Sequence, residues 1–298
     1  MHRRTFITGL GLLGAGTLLS RTSHPPRPNP RFKMGLQLFS VNEDMTRDAA
    51  DTLRRVGEMG YQDFEIYGFD ADKGTFYGHP APEFRQMLDD LGLTASSGHF
   101  GFSSLLDAGE DAMLRFVDQC IEGAHTLGLR YLTWPWMAPE QRTAATFRAL
   151  PDLLNTIGER TKAAGLGFAY HNHGFEFEEY DGKTSYERIL QETDPALVKL
   201  QMDMYWVMHA GRTTPQALVA DQPGRFVMWH IKDMHKESRD YTELGNGSID
   251  YAAALPDPVR SGLEFYYLEQ GGNFTHSALR SAADSADYFR KHLLAHFS

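Results

Sequence analysis

The feature that most limits the fold of this chain is a regular alternation of short apolar segments and amphipathic segments. The apolar segments have the length of buried strands and occupy residues 34–39, 63–66, 94–99, 130–133, 167–170, 198–203, 227–231 and 265–269. Segments with helical spacing separate most of them, at residues 46–59, 82–91, 110–127, 143–164, 185–192 and 215–220, and a last one spans 276–296. Glycines such as Gly60, Gly92 and Gly128 follow these segments, as glycine commonly follows a helix. The order indicates an α/β protein with a parallel sheet.

Eight strand–helix units between residues 31 and 298 match the size and order of a (β/α)8 TIM barrel. A doubly wound open sheet is the competing arrangement for this pattern. The first strand is not followed by a Gly-x-Gly-x-x-Gly sequence, and no linker divides the chain into halves. We therefore expect a single barrel domain over residues 31–298.

Residues 1–30 have a different character. Arg3 and Arg4 precede a short apolar, glycine-rich run over residues 7–19, and a proline-rich spacer follows. The apolar run is shorter than the roughly 20 residues that a membrane-spanning helix needs. The segment resembles a twin-arginine export signal, which predicts a periplasmic protein without a stable membrane span after export. An uncleaved signal that stays as a membrane anchor is the alternative.

Charge and cysteine content exclude some classes of protein. With 39 acidic and 29 basic residues the net charge is −10, which disfavours binding to a nucleic-acid backbone. Cys120 is the single cysteine, so no internal disulfide framework can form. Its neighbours have helical apolar spacing, and we expect a buried, unreactive thiol.

Polar residues lie at the carboxyl end of nearly every predicted strand, where the active site of a TIM barrel is built. They are Gln37, Glu65, His99, His171, His173, Asp203, His230 with Lys232, and Glu269. Asp203, His230 and Glu269 come from three consecutive strands and combine oxygen and imidazole ligands. This set predicts one divalent ion of the Mn²⁺, Co²⁺, Zn²⁺ or Mg²⁺ type, with His171 as a candidate fourth ligand. Such an ion acts as a Lewis acid on a carbonyl and its neighbouring hydroxyl.

Other segments suggest how a substrate is held. Trp134, Trp136 and Trp206 fall at or just beyond strand ends, where aromatic rings can pack against sugars, although they are also ordinary core residues. We expect Glu65, His99, His173, Trp134 and Trp206 to contact the substrate. The glycine-rich loop at residues 243–250 could cradle a phosphate but has no nearby Lys or Arg, and Asp250 is placed to cap a short helix. Lys232 followed by Asp233 is consistent with either a site lysine or a salt bridge at a loop start.

Together these segments resemble the xylose isomerase-like TIM-barrel family, often described as sugar phosphate isomerase/epimerase. The matching residues are 35–41, 170–177, 201–206, 230–233, 245–250 and 267–269. The resemblance implies a metal bound by residues of strands five to eight, which here are Asp203, His230, Glu269 and a strand-five residue. It also implies two opposed glutamates that move the proton. His171 stands at or next to the place of the strand-five glutamate, and Glu176 could replace it only from the loop.

This difference leaves the reaction open. The first hypothesis is an isomerase or epimerase acting on a sugar or sugar derivative through an enediolate, with Glu269, His171 and Lys232 as the catalytic residues. The second is a 3-keto-glycoside lyase or hydrolase that uses β-elimination at the same metal site. A non-catalytic carbohydrate-binding barrel and an endonuclease IV-like enzyme are further alternatives, the last disfavoured by the acidic charge. In each of the first three the partner is a small carbohydrate, and the oligomeric state is open.

Overall fold

The computed structural model describes residues 32–297, so the predicted export signal and spacer lie outside the described residues. Eight parallel strands, numbered β1 to β8 in chain order, form the centre of the fold. They are β1 Gly35–Gln37, β2 Asp63–Ile66, β3 Thr94–His99, β4 Tyr131–Trp134, β5 Gly167–His171, β6 Val198–Asp203, β7 Met228–Ile231 and β8 Phe265–Leu268. Each strand pairs with its neighbours along the chain.

The sheet closes on itself because β1 also pairs with β8, where Gly35 lies opposite Tyr267 and Leu36 opposite Leu268. The predicted (β/α)8 barrel is therefore confirmed, and the open doubly wound sheet is wrong. All eight strands point the same way, so their carboxyl ends meet at one rim. The residues predicted at the strand ends consequently share one end of the barrel.

Helices surround the barrel and cover its outer face. The α-helices are Asn42–Arg47, Ala49–Glu58, Ala81–Asp90, Glu110–Leu127, Ala144–Ala163, Ser185–Glu192, Met204–Ala210, Pro215–Asp221, Tyr251–Ala254, Pro258–Ser261 and Ala278–His292. The helix predicted at 110–127 has these bounds and ends at Gly128, whose φ of 75° is the left-handed conformation that glycine adopts without strain. No helix in residues 32–297 is long and apolar enough to cross a membrane.

Side-chain hydrogen bonds explain two departures from the predicted elements. The strand predicted at 34–39 stops at Gln37, because the Gln37 side chain accepts the Phe39 amide and starts a short 3-10 turn, Leu38–Val41. The helix predicted at 46–59 is divided at Asp48, whose carboxylate accepts the Asp51 amide and caps the second helix. Short antiparallel strands within residues 69–80, 179–184 and 233–242 were not predicted, because two-residue strands carry no periodicity.

The hydrophobic core has two parts. One continuous cluster fills the layer between barrel and helices and contains Cys120, which is fully buried as expected. A smaller cluster inside the barrel contains Tyr131, Ala169, Val227, Met228 and Tyr267. The residues of this smaller cluster lie in the amino-terminal or central part of a strand or just before a strand begins. Their side chains therefore close the barrel below the polar rim. A ligand can therefore approach the polar residues only from the carboxyl ends of the strands.

Candidate active site

Glu65, at the end of β2, forms the floor of the site. Its carboxylate is fully buried and accepts four hydrogen bonds. The donors are Gln37 Nε2 at 2.7 Å, Ser97 Oγ at 2.7 Å, Gln201 Nε2 at 2.6 Å and His230 Nε2 at 2.5 Å. His99 Nε2 lies 3.0 Å from the same carboxylate, and its hydrogen-bond partner is Gln201 Oε1 at 2.8 Å. Burial alone would raise the pKa of Glu65, but the facing imidazoles of His99 and His230 hold it well below its usual range. Glu65 is thus an ionised anchor for the site histidines.

His230 lies between two carboxylates. Its Nε2 faces Glu65, and its Nδ1 lies 2.6 Å from Glu269 Oε2. Burial opposes the charged form of the imidazole, but Glu65 and Glu269 outweigh it and raise the pKa of His230 to about 9. In this state both ring nitrogens of His230 donate hydrogen bonds.

Lys232 connects the ends of β6 and β8. Its Nζ lies 2.6 Å from Asp203 Oδ2 and 2.8 Å from Glu269 Oε2. Burial acts against the ammonium, yet the two carboxylates raise the pKa of Lys232, so it stays charged. Asp203 is also held by its other oxygen, which accepts the Trp206 amide and caps the helix Met204–Ala210. Lys232 therefore does form salt bridges, as one alternative predicted. Its partners are Asp203 and Glu269 rather than Asp233.

Asp233 organises the glycine-rich loop. Its carboxylate accepts the amides of Gly245 at 2.9 Å, Gly247 at 3.1 Å and Ile249 at 3.2 Å. A Cβ atom on Gly247 would lie 2.0 Å from Asp233 Oδ1, so only glycine allows this approach. These amides already bind a carboxylate of the protein, and the loop is not a phosphate cradle. Asp250 caps the helix Tyr251–Ala254, as predicted.

His171 is the last residue of β5, and His173 follows the strand. His171 Nε2 lies 3.6 Å from Asp203 Oδ2, and its ring centroid is 4.6 Å from that of His230. Burial, with His230 nearby, lowers the pKa of His171 well below its usual range, and burial does the same for His173. Both imidazoles are therefore neutral. His171 faces the ionised cluster, whereas His173 stacks on Phe175, with the two ring centroids 5.7 Å apart.

Glu176 does not join this cluster. Its carboxylate accepts the Tyr170 hydroxyl at 2.9 Å and the His173 amide at 2.8 Å, and it belongs to neither group of described residues that could hold a metal ion. Burial raises the pKa of Glu176 to about 8. Of the two strand-five candidates, His171 is the one placed beside the predicted metal ligands.

A cavity of about 360 Å³ opens above these residues. Among the predicted residues, those that line it are His99, His171, His173, Lys232 and Glu269. Sequence reasoning did not identify Phe39, Tyr67, Gly101, Ser103, Pro135, Tyr241 and Gly271 as lining residues, and it noted Trp136 only as an aromatic residue beyond a strand end. Apart from Tyr241, which lies in the short strand Tyr241–Thr242, these residues come soon after the ends of barrel strands, and that position was the available signal.

Three predicted substrate contacts, Glu65, Trp134 and Trp206, do not line the cavity. Trp134 is 0% exposed and packs between Phe102 and Tyr170, while its Nε1 donates to the Trp136 carbonyl. Trp206 packs against His173 and is not among the cavity-lining residues. The expectation that Trp134 contacts substrate is corrected, because its side chain belongs to the core, whereas Trp136 lines the cavity. Glu65 lies below the cavity and acts through His99 and His230.

The described residues fit a divalent metal ion. Asp203, His230 and Glu269 offer ligand atoms that all lie within 4.8 Å of one another, and His99, His171 and His230 form a second such group. Ligands of a single ion at about 2.0–2.2 Å can be at most roughly 4.4 Å apart, so only a small contraction is needed. The Lys232 ammonium between Asp203 and Glu269 shows that these carboxylates already accommodate a cation. A divalent metal at this site is therefore plausible.

Comparison with known proteins identifies the class of protein. The chain belongs to the xylose isomerase-like TIM barrel family, whose sequence pattern matches residues 53–256. A sugar phosphate isomerase/epimerase from Parabacteroides distasonis is 26% identical, with a TM-score of 0.79 over 92% of this chain and 98% of that one. A search of curated proteins found no match.

Two more distant structures share the fold. The IOLI protein, with a binding zinc atom, is 15% identical, with a TM-score of 0.70 over 90% of this chain and 100% of its own. The 3-keto-D-glucoside 4-epimerase from E. coli is 17% identical, with a TM-score of 0.67 over 87% of this chain and 99% of its own.

Proposed function

We propose that the protein is a metal-dependent enzyme of the isomerase/epimerase kind that acts on a sugar or sugar derivative through an enediolate. The observation that carries this proposal is the convergence of Asp203, His230, Glu269 and Lys232 beneath one cavity. The similarity to the sugar phosphate isomerase/epimerase from Parabacteroides distasonis supports the same kind of activity.

The metal would be held by Asp203, His230 and Glu269, with His171 as the fourth ligand, and would supply a Lewis acid for the substrate carbonyl. The imidazole ligands favour Zn²⁺, Co²⁺ or Mn²⁺ over Mg²⁺, which prefers oxygen. Binding of the ion requires His230 to release one of its two protons, since a ligand nitrogen must be deprotonated.

Two groups of the chain can move the substrate proton. The neighbouring Lys232 and His230 overcome the effect of burial and lower the pKa of Glu269, so its carboxylate is ionised and can accept a proton from carbon. His171 belongs to β5 and Glu269 follows β8, and two other strands separate these in the barrel. Where the ion is held by Asp203, His230 and Glu269 alone, the neutral His171 can therefore accept or return a proton from another side. Lys232 can orient the oxygen that becomes negatively charged.

The cavity favours a substrate without a phosphate group. Of its lining residues in the described chain, Lys232 alone carries a Lys or Arg charge, and two carboxylates already pair with it. The amides of Gly245 and Gly247 bind Asp233, so they are not free for phosphate. A neutral sugar or keto sugar suits these surroundings better.

Elimination is the second candidate reaction, and the observation that favours it is the neutral imidazole of His171 among the cavity-lining residues. Where His171 is not a metal ligand, its neutral imidazole can donate its ring N–H proton to a departing glycosidic oxygen after Glu269 has taken the proton from carbon. Electrons of the broken C–H bond then form the new C=C bond while the C–O bond breaks. The result is an unsaturated keto sugar and a free alcohol.

Product analysis tests the proposal. The Mn²⁺-loaded protein is incubated with free ketoses and with 3-keto-glucosides, and the products are followed by NMR. An epimer or isomer supports the first candidate, and an unsaturated keto sugar with released alcohol supports the second. Recovery of every substrate unchanged, with binding retained, would identify a carbohydrate-binding barrel without catalysis.

We also propose export to the periplasm by the twin-arginine route, on the basis of Arg3 and Arg4 before the apolar run. Substitution of both arginines by lysine should leave the protein in the cytoplasm. Fractionation of expressing cells measures this, and unchanged periplasmic yield would contradict the route.

A further inference from the structure

The cavity has two chemically different halves. Four ionisable lining residues, His171, His173, Lys232 and Glu269, follow or end β5, β7 and β8, and a fifth, His99, ends β3. The half formed by the loops after β1, β2 and β4 is lined by Phe39, Tyr67, Pro135 and Trp136. A ligand that spans the cavity therefore meets reactive groups at one end and apolar rings at the other.

Two of these rings are unusually exposed. Among residues 32–297 the exposed large apolar side chains are Phe39 at 39%, Leu91 at 39%, Trp136 at 42% and Val259 at 68%. Phe39 and Trp136 line the same cavity, whereas Leu91 follows a helix and precedes the amino-terminal end of β3, at the opposite end of the barrel. Exposed aromatic surface that borders a polar cavity is typical of a ligand-binding surface.

The local structure fixes both rings. Phe39 meets Tyr67 edge to face, with ring centroids 4.9 Å apart, and its amide donates to Gln37 Oε1 at 3.0 Å. The guanidinium of Arg142 lies 5.4 Å from the Trp136 ring centroid and donates to the Met137 carbonyl at 3.0 and 2.9 Å. Rings held in this way lose little conformational freedom when a ligand packs on them.

The charges around this half indicate a neutral ligand. Phe39, Tyr67, Pro135 and Trp136 bring no charge of their own to the cavity, and the Arg142 guanidinium is directed to a backbone carbonyl and to the faces of Phe175 and Trp136. Flat aromatic faces next to small polar groups such as Ser103 suit the alternating C–H and hydroxyl surfaces of a pyranose ring.

We propose that Phe39, Tyr67 and Trp136 form a subsite for a second pyranose ring, so that the substrate is a glycoside whose reacting ring lies against Glu269 and Lys232. This inference rests on the proposed function, because it takes the ionisable half as the place of reaction. The second ring stacks on Phe39 and Trp136, and Tyr67 holds Phe39 through their edge-to-face contact.

Binding of sugars to the metal-loaded protein tests the subsite without relying on turnover. The probes are D-glucose, methyl β-D-glucoside and the disaccharides cellobiose, maltose and trehalose, measured by titration calorimetry. We expect at least one disaccharide to bind about tenfold more tightly than both single-ring probes, the size of effect that one well-formed contact region gives. Equal affinity for single-ring and two-ring probes, or no measurable binding of any disaccharide, would overturn the subsite.

Substitutions show which residues cause the preference for disaccharides. Phe39→Ala and Trp136→Ala should each lower disaccharide affinity towards the glucose level and leave glucose affinity unchanged. Trp136→Leu, which keeps apolar area but removes the flat ring, should behave like Trp136→Ala. Leu91→Ala is the matched control, since it removes a comparably exposed apolar side chain at the other end of the barrel, and it should change neither affinity. Equal losses for glucose and disaccharide would contradict the proposal.

The two proposals fail in distinguishable ways. Tight disaccharide binding that depends on Trp136, without conversion of any keto sugar, would contradict the proposed reaction and leave the subsite intact. Conversion of keto sugars with no preference for two rings would contradict the subsite alone.

Discussion

The Lys232 ammonium lies 2.8 Å from the Glu269 carboxylate and forms a buried ion pair that links the ends of β7 and β8. The same ammonium lies 2.6 Å from Asp203, so one cation holds two buried carboxylates together. In the absence of a metal, Lys232 therefore neutralises groups that would otherwise repel each other.

Lys232→Met should destabilise the metal-free protein by about 3–5 kcal/mol, the usual cost of leaving a buried charge without its partner. Added Mn²⁺ should restore more stability to this variant than to the wild type, because the ion no longer competes with the ammonium. Urea unfolding in EDTA and in Mn²⁺ measures both effects. Lys199→Met, which removes a half-buried lysine bonded to the Gly224 carbonyl, is the control and should show little metal dependence.

The ligand assignment predicts the metal content of four variants. Asp203→Asn and His230→Ala should lose bound metal, and His171→Ala should weaken binding by at least about tenfold if His171 is a ligand. Glu176→Gln should retain metal, because its carboxylate faces Tyr170 and the His173 amide. Elemental analysis after dialysis measures the metal bound to each variant. Full retention in both Asp203→Asn and His230→Ala would remove these residues from the site.

Glu176 should make stability depend on pH. Burial raises its pKa from 4.5 to about 8, so the folded chain keeps a proton that the unfolded chain releases as the pH rises between these values. The free energy of unfolding should therefore fall in this window, with a slope of up to about 1.4 kcal/mol per pH unit from this group. Glu176→Gln does not titrate and should remove that slope. Urea unfolding at several pH values measures the difference, and parallel curves would contradict it.

Asp233 should be important for the loop at residues 243–250. Asp233→Ala would leave the amides of Gly245, Gly247 and Ile249 without their acceptor and should cost about 2 kcal/mol or more. Hydrogen exchange at these amides should accelerate in the variant. Asp250→Ala, which removes a helix-capping carboxylate, should cost only about 1 kcal/mol. Equal effects of the two substitutions would contradict the anchoring role.

The strand and helix order could be predicted because it depends on local periodicity, and parallel strands place their ends on one rim. The strand order therefore predicted that six residues share one end of the barrel: His99, His171, Asp203, His230, Lys232 and Glu269. It failed for Trp134, because a ring at a strand end can turn into the core or towards the cavity, and the sequence does not distinguish these directions.

Contacts between segments that are far apart in the sequence could not be predicted from the sequence. The four hydrogen bonds of Glu65 come from Gln37, Ser97, Gln201 and His230 on β1, β3, β6 and β7, and no spacing along the chain encodes their convergence. Phe39 was missed for a local reason, because the Gln37 side chain ends the strand earlier than the apolar run suggests. The exposed ring at the cavity follows from that early turn.

Deuterium incorporation tests the central claim of enolisation at this site most directly. The metal-loaded protein is incubated in D₂O with 3-keto-glucosides and free ketoses, and NMR follows exchange of the hydrogen on the carbon next to the carbonyl. The account predicts exchange by the wild type, with a loss of at least about 100-fold in Glu269→Gln because the proton acceptor is removed. Absence of exchange with every substrate, or equal exchange by Glu269→Gln, would contradict it.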